Sequence, residues 1–577
     1  MNKKGIALIF SFIVIVVLII LGAALVSRSV FERASTRRYT ESTQAFWLAE
    51  AGANQAIAEI RARIRGDVDA SDNPIGLVGR VKGSDPSFTY SSYSNDPLGF
   101  LHDFAYPTGG AQFTSSGVLT ISDTNLTSGV PGGYAATITV AANGNPSSPS
   151  NEVYVFPYNY LIESIGTTPT GERTVRLSQG TFNVTVTRDN FARFALFTNH
   201  HQMPNGTTVW FMGSTNFAGP VHTNGYFAFA NNPSGTFTQE VTQVSSTALF
   251  YNDSAYNHLT LDADSNPPHD VPQFLGGFSR GISTITLPSS VTQQDLKDEA
   301  TGEQDDTSWA NGIYVPRDVS NNVAGGIYIK GDASTLTMAV VSGQPVYTIT
   351  QGGNTKKITV DYTNNRTTVA NVSGSGGTPP GTYTGIPNGV GNEGIIIYDK
   401  GSISNFSGTV EANTKATVTS SGSISISSHV MYQNYHSGST PDATGYTNTL
   451  GILAWDGDVS ISTSAPPDLN IHGIVMAPGQ GHVFKVDSHD DRRRGSRGTV
   501  TLLGGVISDY YGAFNTFSGT TVVSGYARNF VYDGRMLQGG TPPYFPYLTN
   551  YTTSGDDQDA NGVRDLDKKL TWEERGP

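Results

Sequence analysis

Residues 6–26 constrain this chain more than any other stretch. The run IALIFSFIVIVVLIILGAALV carries no charge and a single hydroxyl, Ser11. At 1.5 Å of rise per residue it makes about 31 Å of helix, enough to cross the hydrocarbon core of a bilayer. The helical pattern continues beyond it. Phe46, Ala49, Ala53, Ile57, Ile60 and Ile64 recur at helical spacing, while Glu50, Glu59, Arg61, Arg63 and Arg65 mostly fall on other faces. No proline occurs before Pro74, and Gly66 offers a stop. One helix over residues 6–66 is expected, about 90 Å long, apolar in its first half and amphipathic in its second.

Three readings compete for the opening segment. A cleaved secretory signal has an apolar region of roughly 7 to 15 residues and a small-residue site after it. This run is longer, and Arg28 follows without an A-x-A pattern. A plain membrane anchor requires only the span. The third reading starts from Lys3-Lys4-Gly5 set directly against Ile6, which resembles the class III signal of type IV pilins and pseudopilins. The resemblance implies a prepilin leader of residues 1–5, cut by a prepilin peptidase between Gly5 and Ile6, with methylation of the new N-terminus. The segment AFWLAEAGANQA, Ala45 to Ala56, strengthens it, being similar to the A-x-x-A-E-A-G segment of PilX-type minor pilins and of the large tip pseudopilin of type II secretion.

One departure from that family is informative. Most pilins carry glutamate at the fifth mature position, where this chain has Phe10. In the family that glutamate is thought to neutralise the N-terminal amine of the next subunit within the bilayer. A lone carboxylate at that depth costs several kcal/mol unless paired. A subunit at a filament tip has no subunit ahead of it, so an apolar residue suits that place. The expected partners are then other pilin subunits through the N-terminal helix, the prepilin peptidase and an inner-membrane assembly platform. The expected location is a single pass through the inner membrane, with the body outside. Loop charges do not settle the orientation, because Lys3 and Lys4 precede the span while Arg28, Arg33, Arg37 and Arg38 follow it.

The remainder is β-rich in character. The chain has 577 residues, 65 of them glycine, only 14% charged, and no cysteine. That length implies two or three domains, and no disulfide or thiol chemistry is available. A net charge of −13 argues against a general nucleic-acid-binding surface, so no nucleic-acid partner is expected. The expected fold class is α+β to mainly β: a long helix, a pilin-like β-sheet region over 67–190, a mixed β region over 191–323, a β-helix or β-solenoid-like domain over 324–547, and an acidic tail over 548–577.

Particular strands carry this division. Tyr134–Val140, Glu152–Phe156, Tyr160–Ile165, Arg173–Leu177 and Thr181–Thr187 alternate apolar and polar residues as half-buried strands do. Gly325–Ser334, Glu393–Ser404 and Leu450–Ile461 share one scheme of an apolar strand, a tight glycine turn and a second strand. With Ser421–Ser428, Leu469–Ala477 and Val500–Ser508 they recur roughly every 15 to 30 residues, which suggests stacked units that bury their apolar faces against neighbours. An ordinary β-sandwich remains open because the repeat is irregular. Gln293–Asp306 reads as a short exposed helix or an acidic loop.

Parallel β-helices include polysaccharide lyases and hydrolases, yet the chain lacks a G-x-S-x-G elbow, an H-E-x-x-H pair and a phosphate-cradling glycine loop. Asp456 and Asp458 fit turn chemistry, and no enzyme activity is expected. His200, His201 and His222 fit turn or core positions better than metal ligation. The run HDDRRRGSRG, His489 to Gly498, reads as an exposed loop between strands. One metal motif is sharper. Asp557, Asp559, Asn561, Val563 and Asp565 follow D-x-D-x-N-G-x-x-D, the first nine positions of an EF-hand-type loop, with Val563 offering its carbonyl. The twelfth position is Lys568 where a bidentate glutamate belongs, with Asp567 one residue early. Calcium is therefore the one candidate cofactor.

The expected function is that of a minor pilin-like structural subunit of a type IV pilus or related filament, at the tip, for assembly priming or adhesion. The alternatives are a pseudopilin of a type II secretion system and a membrane-anchored surface adhesin outside any filament.

Overall fold

The structure, a computed structural model, describes residues 3–69, 98, 113–124, 131–150, 153–212, 215–230, 235–251, 256–259, 271–435, 447–518, 521–554 and 572–575. The chain divides into two compact units. One comprises Met1–Asp189 and Asn550–Pro577, the other Asn190–Thr549. The stretches 191–323 and 324–547, separate by sequence, lie together in the second unit.

In the first unit the helix α1 runs unbroken over Lys3–Asp69, about 100 Å at 1.5 Å per residue. Residues 6–40 are all exposed, and burial begins only where the sheet is met. The buried face comprises Ala45, Leu48, Ala49, Gly52, Ala53, Ala56, Ile57 and Ile60, spaced by three and four as one helix face requires. Sequence periodicity picks Ala49, Ala53, Ile57 and Ile60 correctly. It puts Phe46 on this face, whereas Phe46 is only half-buried at its margin; the Ile64 side chain falls outside the described ones. Small residues own the face because the sheet comes close. A Cβ on Gly52 would overlap Ser164, and one on Gly166 would overlap the Ala45 carbonyl.

That sheet is built from β1 (Val118–Asp123), β2 (Gly133–Ala142), β3 (Ser147–Ser150), β4 (Val153–Thr168) and β5 (Gly171–Asn190). The order β1-β2-β4-β5 is antiparallel throughout, with β3 also on β4. Glu152–Phe156 and Tyr160–Ile165 fuse into the single strand β4, and Arg173–Leu177 with Thr181–Thr187 into β5. Pro157 is tolerated inside β4 opposite Asn183, and the register shifts just beyond it, between Tyr160 and Ile162. The strand Trp572–Arg575 adds to β5, with Trp572 opposite Leu177.

The second unit is a set of parallel ladders. Ten strands follow one another in space: Ile327–Lys330, Ile395–Asp399, Lys415–Ser420, Thr449–Ala454, Asn470–Ala477, Ser496–Tyr510, Leu196–His200, Val221–Thr223, Val241–Gln243 and Phe278–Arg280. A second ladder links Ala333–Val341, Ile403–Val410, Ile424–Tyr432, Val459–Ile461 and Phe484–Val486. The spatial order is not the chain order. The chain enters at the middle of the first ladder at Leu196 and proceeds to one end at Phe278. It then crosses to the other end at Ile327 and works back to the middle at Tyr510. With strands about 4.8 Å apart, the crossing covers roughly 43 Å. The points of entry and exit meet: Phe191 N–H donates to the Pro546 carbonyl at 2.9 Å, and Asn190 Nδ2 to the Phe545 carbonyl at 2.8 Å.

The crossing carries a second helix, α2, over Ser290–Thr301. Ser289 caps its start and Gly302, in the left-handed region at φ 64, ends it. The expected exposed segment over 293–306 is only part of this. Leu296 and Ala300 are buried, and so is Asp306 beyond the helix. At the Ile327 end, Ala333–Val341 also begins an antiparallel meander through Gln344–Gln351, Asn354–Asp361, Arg366–Ser373 and Gly381–Thr384.

Two features hold successive layers together. Ile327, Ile395, Ile397, Val418, Ile452, Val475 and Ile507 are all wholly buried, so each layer hides its apolar residues against the next. At the corner between the ladders, a short polar side chain of one layer accepts a backbone N–H of the next. Ser402 N–H donates to Asp332 at 2.9 Å, Ser423 N–H to Ser402 at 3.1 Å, Asp458 N–H to Ser423 at 3.2 Å and Val483 N–H to Asp458 at 3.1 Å. Gly457 stands at this corner because a Cβ there would lie 2.5 Å from the Ser423 nitrogen.

Candidate functional sites: a bare helix and a buried carboxylate

The first half of α1 has the properties of a membrane span. Its most apolar 18-residue window has a mean hydropathy of 3.3, and none of that window is buried. Gly5 lies within the helix, Ile6 is 51% exposed and Phe10 69% exposed. A span of about 31 Å uses only residues 6–26. Residues 27–40 are equally bare, carrying Arg28, Glu32, Arg33, Arg37 and Arg38 beside exposed Val30, Phe31 and Tyr39. Arg28 meets Glu32 at 2.9 Å and Arg37 meets Glu41 at 2.7 Å, each one helical turn on. Such pairs contribute a few tenths of a kcal/mol at most. Just before the sheet, Tyr39, Thr40, Thr43, Gln44, Trp47 and Leu48 line a shallow open groove, and Trp47 is 60% exposed.

The calcium-loop residues Asp557, Asp559, Asn561, Val563 and Asp565 all lie outside the described residues. Among the described residues, no group of three or more His, Asp or Glu side chains is placed to hold a metal ion. His201 and His222 are core groups, whereas His200 is exposed. Burial pushes His201 down to about 3, with the Arg528 charge adding to it. It pushes His222 down to about 4, against the Asn224 hydrogen bond. His201 is enclosed by Phe211, Phe227 and Tyr511, and His222 bonds Thr242 at 2.8 Å and Asn224 at 3.0 Å. Around them, Phe211, Phe229 and Phe250 form one interior column and Phe217, Phe237 and Phe274 another, with ring centres 5.2–5.7 Å apart.

The most unusual ionic centre is one that sequence reasoning passed over. Asp306 is 2% exposed. Lys297 from α2 reaches its Oδ1 at 2.7 Å, and Lys400 from the turn after Ile395–Asp399 reaches its Oδ2 at 3.0 Å. Tyr328 donates to Oδ2 at 2.5 Å, and Lys330 donates to the Asp306 carbonyl at 2.6 Å. Burial works against the charged carboxylate, but the hydrogen bonds from Lys297, Tyr328 and Lys400 outweigh it and hold the group well below the usual carboxylate range. The aromatic rings of Trp309, Tyr314 and Tyr398 stand close around Tyr328. No motif announces this centre, because its members come from four separate segments.

A second buried pair joins Asp533 and Arg535 at 2.5 Å. Arg535 also donates to the Asn448 carbonyl at 2.9 Å and stands over the Tyr432 ring at 5.2 Å. Asp399, wholly buried, is pushed up to about 7 by that burial, although it accepts the Gly401 and Ala333 N–H groups at 2.8 and 3.1 Å. The Arg492–Arg494 turn is exposed as expected, with Arg493 held by Asp491 at 3.0 Å.

A family described as a domain of unknown function (DUF4900) matches residues 153–246. The match begins at β4 and ends just after Val241–Gln243, so it runs across the boundary between the two units. No curated protein and no solved structure matches the chain.

Proposed function

We propose that the chain is a minor pilin-like structural subunit of a type IV pilus or related filament, placed at the tip to prime assembly or adhere. The observation that carries this reading is the bare extent of α1. Some 20 Å of helix beyond the span, residues 27–40, stays exposed among the described residues of its unit. A helix this mixed in composition gains little stability from two exposed ion pairs. Neighbouring helices of like subunits would cover it. The Ala45–Ala56 segment is then the dock between helix and sheet, and Phe10 is the apolar group of a subunit with nothing ahead of it. The second unit is read as a β-helix, supported by its parallel ladders and stacked corners, and it serves as the displayed body. It has no catalytic role in this reading. The Asp557–Asp565 loop is proposed to bind calcium.

The partners are other pilin subunits, a prepilin peptidase and the assembly platform of the inner membrane. A type II secretion pseudopilin would use the same helix, and a simple membrane-anchored adhesin would use only its first half. Mass spectrometry of the mature N-terminus tests the reading. Cleavage after Gly5 with a methylated Ile6 is the expected result. An intact Met1 in the mature protein refutes processing and leaves the anchored adhesin.

A further inference from the structure

Asp306 and Lys297 are arranged for more than an ion pair. We propose that they become joined by an amide bond between the Lys297 Nζ and the Asp306 Cγ, an internal cross-link formed by the folded protein itself. Nζ already lies 2.7 Å from Oδ1, which is one bond away from the Cγ that Nζ would attack. Holding two such groups together replaces a bimolecular encounter and can supply several kcal/mol of the barrier.

The resting carboxylate is held charged by its donors, but the dryness of the site lowers the cost of passing a proton between the partners relative to water. Asp306 is 2% exposed and the Lys297 side chain 19%. A charged pair in so dry a place is favoured less over the neutral amine and acid than it is in water. One proton passing from Nζ to the carboxylate creates a nucleophilic amine beside a protonated carboxyl. The two oxygens are not equivalent. Oδ2 alone receives Tyr328 at 2.5 Å and Lys400 at 3.0 Å. The Lys400 Nζ, 3.0 Å from Oδ2, stabilises the oxygen that leaves.

The atoms balance without any co-reactant. The ammonium of Lys297 begins with three hydrogens. As the C–N bond forms and the Cγ–Oδ2 bond breaks, one hydrogen stays on the amide nitrogen. The other two pass to Oδ2 through Tyr328 and Lys400, which finish as they began, and one water departs. Oδ1 remains as the amide carbonyl. The chain has no cysteine, so this is a covalent staple of a kind open to it. It would lock the end of α2 to the loop that follows.

The test is the mass of the full-length chain, purified in detergent and denatured, measured intact and after trypsin. The expected result is a deficit of one water. It should localise to an uncut peptide spanning residues 281–317, because trypsin cannot cleave after an acylated Lys297. In Lys297→Arg the peptide should be cut at position 297 and carry its full mass. In Asp306→Ala cleavage after Lys297 should return. Denatured wild-type protein of full mass, cut after Lys297, overturns the proposal however the variants behave. A link through Lys400 in place of Lys297 overturns it equally.

Discussion

Substituting alanine for Gly166 should loosen α1 from its sheet by about 2 kcal/mol, a packing cost less a smaller return of backbone entropy. Gly166 lies in β4 opposite Tyr134, directly beneath the helix. A methyl group there would overlap the Ala45 carbonyl and lie 2.5 Å from the Ala49 nitrogen. Both obstacles are backbone atoms of a rigid helix, so no side-chain rotation relieves them. Overpacking in cores typically costs about 1–3 kcal/mol, and immovable obstacles place this case near 3. Replacing glycine within a strand returns roughly 0.5–1 kcal/mol of backbone entropy. The net cost, about 2 kcal/mol, corresponds to a roughly 30-fold rise in the opening equilibrium of this part of the unit. Hydrogen exchange followed by mass spectrometry on the full chain in detergent reads it directly. Amides of residues 45–60 and of β4 should exchange about 30-fold faster, while those of the second unit stay unchanged. Gly353→Ala is the control, since a Cβ there meets nothing within 4 Å. Exchange within twofold of wild type for Gly166→Ala would show that close helix–sheet packing does not set the stability of this unit.

Acid should weaken the second unit. His201, His222 and His472 are held neutral by burial, at about 3, 4 and 4. Their contribution is complete above pH 6.5 and is lost as pH falls through those values. At pH 5 each has surrendered about 2 kcal/mol, roughly 6 in all. Asp399, raised to about 7, acts oppositely. Its contribution is complete below pH 3.8 and lost as pH rises through 7, so it returns about 3 kcal/mol at pH 5. Denaturant titration should therefore find this unit about 3 kcal/mol less stable at pH 5 than at pH 8, and equal or greater stability at pH 5 would contradict the burial argument. Arg535→Ala leaves Asp533 buried without its partner, which should cost about 3–5 kcal/mol. A thermal midpoint unchanged from wild type would mean that water already reaches Asp533.

Local chemistry accounts for what could be read directly. The uncharged run, the absence of proline and the three-and-four spacing demanded one long helix, and α1 is that helix. The apolar and polar alternation in 134–187 demanded strands. It did not reveal that four of these are two long ones, because a proline or glycine within a ladder is tolerated once neighbours fix the register. The face of α1 was only half legible. Ala45, Gly52 and Ala56 carry almost no hydrophobic signal, and they are buried because the sheet approaches closely enough to exclude anything larger.

Tertiary structure alone decided the rest. Strands of two to four residues, such as Phe211–Met212 and Ala228–Ala230, are too short to display a period, so the phenylalanine columns could not be foreseen. Nothing local says that Leu196–His200 lies beside Val506–Tyr510, some 310 residues away, or that the chain enters its ladder in the middle. Asp306 looked like one more residue of an acidic loop. It became a buried centre only when Lys297, Tyr328 and Lys400 arrived from α2, one ladder strand and the turn after another. Helix and strand follow from forces within a few residues, whereas partners distant along the chain are chosen by which packing buries the most apolar surface without stranding a charge.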